Sequence, residues 1–114
     1  MQCYKTTHSL EERINESTRI RARHRSSGPV IVQPQNKKIP QIDRCKFLVP
    51  WDLTYGQMLY VVRKRIDLDS SKALFMFCNN TLPPQTATIR DIHRKYGDED
   101  GFLYFTYSLE NTFG

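Results

Sequence analysis

The chain has only three cysteines, Cys3, Cys45 and Cys78, and they lie far apart. No C-x-x-C pair occurs, so neither a structural zinc site nor a disulfide framework is indicated, and a reducing compartment, cytosol or nucleus, is expected. Three histidines, His8, His24 and His93, are equally scattered, and no metal or other cofactor is expected. No apolar run approaches the ~18 residues of a membrane span. The first ten residues hold nothing resembling a secretory signal. Five glycines and six prolines are too few for a collagen-like or low-complexity chain. A Gly-rich phosphate loop, a metal constellation and a nucleophile–base pairing are all missing, so an enzyme is not expected.

What is present is an ordinary globular composition: 114 residues, 39% apolar and 25% charged, enough for one domain with a modest core. The net charge of +5 is unevenly spread. Residues 19–46 carry eight basic side chains against Asp43 alone, whereas residues 91–110 carry five acids against Arg94 and Lys95. Such a basic field attracts nucleic acid, anionic lipid or acidic peptide. Residues 19–46 contain no Phe, Tyr or Trp, which counts against stacking on nucleic-acid bases. A basic module for nucleic acid or anionic surfaces therefore remains the alternative, and nucleic acid is not the expected partner.

Ser9-Leu-Glu-Glu12 is a capping box and opens a helix running to about residue 23. Leu10 and Ile14 share one of its stripes, Glu16 and Ile20 another. Residues 29–33 are β-branched and short, a strand. Residues 45–49 form a second strand that stops at Pro50 and pairs antiparallel with the first. Thr54 caps a helix with Gln57 at its third position. Tyr55, Met58, Leu59, Val62 and Ile66 make its apolar stripe. Residues 73–77 read as a strand and Asn79-Asn80 as a turn tolerant of positive φ. Thr81-Leu82 follows as a very short return strand. Residues 88–95 give two helical turns with Ile89, Ile92 and Tyr96 inward. In residues 102–107, Phe102, Tyr104 and Thr106 face one way and Leu103, Phe105 and Tyr107 the other, as in a central strand. Residues 109–114 carry no pattern that would hold them down, and residues 1–7 too little for a full first helix.

A hairpin, a long helix across it and a late central strand make an α+β, β-grasp plan with an N-terminal helical extension. One domain is expected over residues 1–114: extension 1–27, core 28–108, flexible tail 109–114. At this level the chain resembles the autophagy ubiquitin-like modifiers of the GABARAP type. The resemblance is carried by Pro29-Val-Ile-Val32, Lys46-Phe-Leu-Val-Pro50, Asp52-Leu-Thr54, Gly56-Gln57 and Val62-Arg-Lys-Arg-Ile66. It continues through Ala73-Leu-Phe75, Asn79-Asn80, Leu82-Pro-Pro84, Asp98-Glu-Asp-Gly-Phe-Leu-Tyr104, Tyr107-Ser and Phe113-Gly114. These blocks occur in order and at family-like spacing.

The resemblance implies a modifier coupled through its C-terminal Gly114, with Phe113 as an apolar handle, to phosphatidylethanolamine. E1-like activating and E2-like conjugating enzymes and a processing or delipidating cysteine protease are the implied partners. The implied locations are cytoplasm and, when lipidated, the autophagosomal membrane. Receptors and adaptors bearing aromatic–x–x–aliphatic motifs would bind at the edge strand, residues 45–49. By resemblance the first pocket comprises Glu16, Ile20, Pro29, Ile31, Lys46, Leu48 and Phe102. The second comprises Phe47, Val49, Pro50, Leu53, Met58 and Val61, with Arg44 and Arg65 as basic contacts. Departures from the family pattern are Ser26-Ser27 for an acidic–basic pair, His24 for an aromatic, and Met58 and Val61 for bulkier side chains. Trp51 replaces a small residue or proline beside the second pocket, where a solvent-facing ring would extend the pocket or cover it.

Overall fold

The computed structural model describes residues 4–110. Its backbone elements are helix α1 (Tyr4–Thr7), helix α2 (Leu10–Arg23), strands β1 (Ser27–Pro34) and β2 (Lys46–Pro50), helix α3 (Tyr55–Arg65), strand β3 (Phe75–Phe77), helix α4 (Ile89–Tyr96) and strand β4 (Leu103–Ser108). The sheet order is β2-β1-β4-β3. β1 pairs antiparallel with β2 and parallel with β4, and β3 closes antiparallel on β4. This is the expected β-grasp with a helical extension at its N-terminus. The central place of β1 and β4 explains why both carry apolar side chains on both faces.

The two faces of the sheet hold different clusters. On one, Val30, Val32, Val49, Leu103, Phe105 and Tyr107 meet Met58, Val62 and Ile66 of the α3 stripe and Ile89 and Ile92 of α4. On the other, Ile31 and Phe102 cluster with Tyr4 of α1, with Ile20, Cys45 and Tyr104 packed alongside. The Tyr107 hydroxyl donates to the Pro40 carbonyl (2.6 Å) and accepts from the Ile42 N–H (2.9 Å), pinning the β1–β2 loop. Ser9, Thr54 and Thr88 cap α2, α3 and α4, the first two in complete capping boxes with Glu12 and Gln57.

Helix α2 docks in a way its apolar stripe does not predict. Leu10 and Ile14 are 39% and 38% exposed, whereas Arg13 and Ser17 face inward. Arg13 donates to Asp100 Oδ2 at 2.7 Å, and the Asp100 side chain is wholly buried. The same carboxylate accepts the Tyr104 hydroxyl (2.5 Å) and the Phe102 N–H (2.8 Å), while the Ser17 hydroxyl donates to the Asp100 carbonyl. Gly101 allows this approach. Its φ is +93°, and a Cβ there would lie 2.4 Å from Ser17 Oγ.

Every strand's ends differ from the sequence reading, β4 by a one-residue shift to Leu103–Ser108. β1 extends to Ser27–Pro34, and β2 is shifted by one to Lys46–Pro50. Pro50 fits because it sits opposite Ser27 at a position where the ladder needs no N–H. β3 is three residues long, and Thr81 makes a single bridge to Cys78 rather than a return strand with Leu82. Asn79 and Asn80, at φ 53° and 64°, take the left-handed turn that ends the strand. Trp51 is half-buried, its ring packed on the protein rather than standing free in solvent. Its indole N–H donates to the Arg25 carbonyl (3.1 Å), its ring covers Gly28, and it meets His93 edge-on at 5.2 Å.

Helix α1 is a single turn held by charge. Lys5 pairs with Asp98 at 2.5 Å, and the Tyr4 hydroxyl donates to Glu16. Burial alone would raise the Glu16 carboxyl, but bonds from Lys46 and Tyr4 outweigh it and hold it low. Asp98 is likewise raised by burial and lowered further by Lys5 and the Asp100 N–H. Carboxylates depressed in the folded state add stability above their unfolded value of about 4, and that stability is lost as pH falls through the folded value.

Two outcomes follow from these contacts. Asp100→Ala strands Arg13 and should destabilise the protein by about 3–5 kcal/mol, read from urea unfolding; a loss below ~1 kcal/mol, the upper end for an exposed pair, would show that the anchor is unimportant. Acidification below about pH 4 should free α1 first, so amide exchange over residues 4–8 should rise before exchange in β4. Simultaneous exchange of both segments would contradict this.

Candidate functional site

Strand β2 has one neighbour, so its other side is a free edge. The ladder fixes which groups face outward. Val32 N–H donates to the Cys45 carbonyl (2.8 Å) and Trp51 N–H to the Ser26 carbonyl (3.0 Å). Bonded and non-bonded pairs alternate in an antiparallel ladder. Ile31/Lys46, Pro29/Leu48 and Ser27/Pro50 are therefore the non-bonded pairs in this register. The N–H and C=O groups of Lys46 and Leu48 consequently point away from β1, toward the edge. Pro29 and Pro50, which have no N–H to give, both occupy non-bonded positions.

Side chains alternate across the same strand. Lys46 and Leu48 stand on the face covered by α2, where Ile31 and Phe102 form the floor. Phe47 and Val49 stand on the face covered by α3, where Leu53 and Met58 lie. The edge is thus flanked on both sides by apolar material.

On the α2 face, Glu16 and Ile20 are half-buried, Pro29, Ile31 and Phe102 are buried, and Lys46 and Leu48 are exposed. Lys46 reaches across to pair with Glu16, closing the space above Ile31. Sequence reasoning missed Tyr4, which is 5% exposed and packs edge-to-face on Phe102 at 5.4 Å. The available signal was a single aromatic in a polar stretch ahead of the Ser9 cap. Beyond Lys46 a cavity of about 450 Å³ runs toward the β1–β2 loop between Tyr4, Gln33, Arg44 and Cys45.

On the α3 face, Phe47 and Leu53 are half-buried, Val49 and Met58 buried, and Val61 exposed; Pro50, expected with them, is exposed but by alternation shares the Lys46 and Leu48 side of the strand, opposite Ser27. Val49 and Met58 belong to the main core, so they can serve only as floor. The Arg65 guanidinium lies over the Phe47 ring (5.6 Å) and pairs with Asp43 at 3.3 Å. It joins the end of α3 to the loop beside this face. Arg44 is exposed on that loop. Trp51, turned inward over Gly28, is held by Arg25 and His93.

A larger cavity, about 560 Å³, lies along the opposite flank of α2, between Ile14, Arg21, Trp51 and Glu99, and includes none of these pocket residues. The chemistry of the edge, two apolar faces beside free backbone donors and acceptors, makes β2 the stronger candidate despite the smaller volume. The Cys78 thiol is pushed up to about 12 by burial, which leaves it a packing residue. Phe113 and Gly114 lie outside the described residues.

Comparison with known proteins agrees along nearly the whole length. The family model "Autophagy protein Atg8 ubiquitin like" matches residues 12–114. Autophagy-related protein 8b of Arabidopsis thaliana is 54% identical over 112 residues, 97% of this chain and 92% of that protein. Autophagy-related protein 8A of Oryza sativa subsp. japonica is also 54% identical, over 97% of this chain and 94% of its own length. Among solved structures, Trypanosoma brucei ATG8 superposes with a TM-score of 0.87 at 46% identity, covering 95% of this chain and 94% of that one. Plasmodium falciparum Atg8, solved in complex with a Plasmodium falciparum Atg3 peptide, gives 0.89 at 30% identity, covering 96% and 98%. Matched by the family model over residues 12–114 and by relatives and solved structures over nearly its whole length, the chain belongs to the Atg8 family of autophagy ubiquitin-like proteins.

Proposed function

We propose that this protein is a modifier rather than an enzyme, coupled through Gly114 to phosphatidylethanolamine, and that its β2 edge binds aromatic–x–x–aliphatic peptides. The observation that carries the peptide reading is the outward-facing backbone of Lys46 and Leu48 between two apolar faces. A guest strand pairing there alternates its side chains, so residues three apart point to opposite faces. An aromatic at the first position then meets the α2 face and an aliphatic at the fourth meets the α3 face. One motif thereby uses both pockets. Burying each anchor is worth roughly 1.5–3 kcal/mol, and ordering the peptide offsets part of this. The result is modest, reversible binding suited to recruitment.

The conjugation reading rests on the family, on the Phe113-Gly114 pair that follows β4 in the sequence, and on chemistry. A glycine carboxyl offers no side chain to crowd an acyl adenylate, a thioester or an amide. Among the described residues no helix is long and apolar enough to cross a membrane. Two acyl chains, at about 0.8 kcal/mol per buried CH₂, would supply a stable anchor. E1-like activating and E2-like conjugating enzymes and a cysteine protease are the partners this chemistry needs. The Atg3 peptide bound by Plasmodium falciparum Atg8 supports the E2-like partner. Cytoplasm and autophagosomal membrane are the corresponding locations. Arg44 and Arg65 stand where acidic residues flanking a peptide motif would approach.

Lys46→Ala with Leu48→Ala should weaken such a peptide at least ~tenfold in calorimetry. Both side chains are substantially exposed, so stability should stay within about 1 kcal/mol; unfolding of the variant would instead mark them as core. Deleting Gly114 should abolish the membrane-bound form in cell fractionation, and intact mass of that form in the parent should show an added phospholipid. Undiminished membrane recruitment of the deletion would refute conjugation.

A further inference from the structure

We propose that Tyr4 is a tethered occupant of the first pocket, lying on the floor a ligand's aromatic ring would need and latching the entrance through Glu16 and Lys46. The inference rests on the peptide reading of that pocket. Ile31 and Phe102 face the α2 side of the sheet, yet both are 0% exposed. The chain itself covers them. The Tyr4 ring joins their cluster and packs edge-to-face on Phe102. Its hydroxyl donates to one oxygen of Glu16, and the other oxygen accepts from Lys46 Nζ. An aromatic guest that takes this floor displaces the Tyr4 ring and breaks the hydroxyl's bond to Glu16, leaving Glu16 to Lys46.

The latch is built to open. Helix α1 is a single turn, too short to persist without its contacts. Its ties are the Tyr4 backbone N–H to the Gln33 side chain and the half-solvated Lys5–Asp98 pair. Burial, and then Glu16, keep the Tyr4 hydroxyl far above its ordinary range, so it remains a neutral donor at any physiological pH. Releasing one turn is a local opening that leaves the β1–β4 centre of the sheet untouched. If the docked turn and the ligand exclude each other, each must weaken the other by the same factor. The apparent affinity is then the intrinsic one scaled by the undocked fraction.

Calorimetry with a short acidic Trp-x-x-Leu peptide on the full chain, joined to amide hydrogen exchange, separates the possibilities. Tyr4→Phe keeps the ring and cuts the latch. It should bind about three- to tenfold tighter, and saturating peptide should speed exchange over residues 4–8 in the parent protein. Parent and Tyr4→Phe binding equally, with exchange over residues 4–8 unchanged, would overturn the tethered occupant and leave the groove standing. Weaker binding by Tyr4→Phe would overturn it too, by making Tyr4 a wall of the pocket. Failure of both proteins to bind would overturn the groove reading itself and the inference with it.

Discussion

The fold's extension depends on one buried carboxylate. Asp100 sits at the entry to β4 with its side chain sealed from solvent, and its two oxygens serve Arg13, Tyr104 and the Phe102 backbone. A buried charge of this kind is tolerated only when neutralised and fully hydrogen-bonded. Arg13 does the neutralising, and in doing so it fixes α2 against the sheet. With α2 in place, Glu16 and Ile20 are carried to the rim of β2, and the sheet face holding Ile31 and Phe102 acquires a second wall. Without the ion pair, α2 would lose its charged anchor, and Ile31 and Phe102 would keep only Tyr4 and their sheet neighbours as cover.

This arrangement explains why an apolar helix face was not needed. The side of α2 that docks is Arg13 and Ser17, and the apolar pair Leu10 and Ile14 is left in solvent. Two polar residues four apart read as an ordinary wet stripe, because a helix period reports hydrophobicity and not the presence of a buried partner 87 residues away. Tyr4 was illegible for a related reason. Apart from His8, stacked on its ring at 4.1 Å, the partners that bury it are Phe102, Glu16 and Gln33, all distant in sequence. A lone aromatic near the start of a chain has no periodicity to announce them.

Where signals are local, the sequence sufficed. The capping boxes at Ser9 and Thr54 start α2 and α3 at the residues expected, and Tyr55, Met58, Val62 and Ile66 are buried as their spacing requires. Phe105 and Tyr104 point to opposite faces of a strand with neighbours on both sides. Trp51 went the other way. Reading it as a solvent-facing ring ignored Gly28, whose missing side chain leaves the space the indole fills. The blank at one position and the bulk at another, 23 residues on, are a complementary pair that no window on the sequence joins. Trp51 therefore packs against β1 and α4, while on the reading proposed above Met58 and Val61 would be floor and rim of the second pocket.

The division between floor and rim constrains how ligand preference can vary. Ile31, Phe102, Val49 and Met58 are buried with the core residues of their face, and truncating such side chains costs about 2–5 kcal/mol of stability. A marginally stable domain of this size, with about 5–15 kcal/mol in total, has little room for change there. Lys46, Leu48 and Val61 are exposed, so these positions can change shape and charge with small effect on folding, whereas half-buried Phe47 and Leu53 pack on the main core. Selectivity therefore has to reside in side chains that close over a guest, and not in those beneath it. On the peptide reading proposed above, a rim made from Lys46 and from Phe47 beneath Arg65 is where the edge would adapt to related guests.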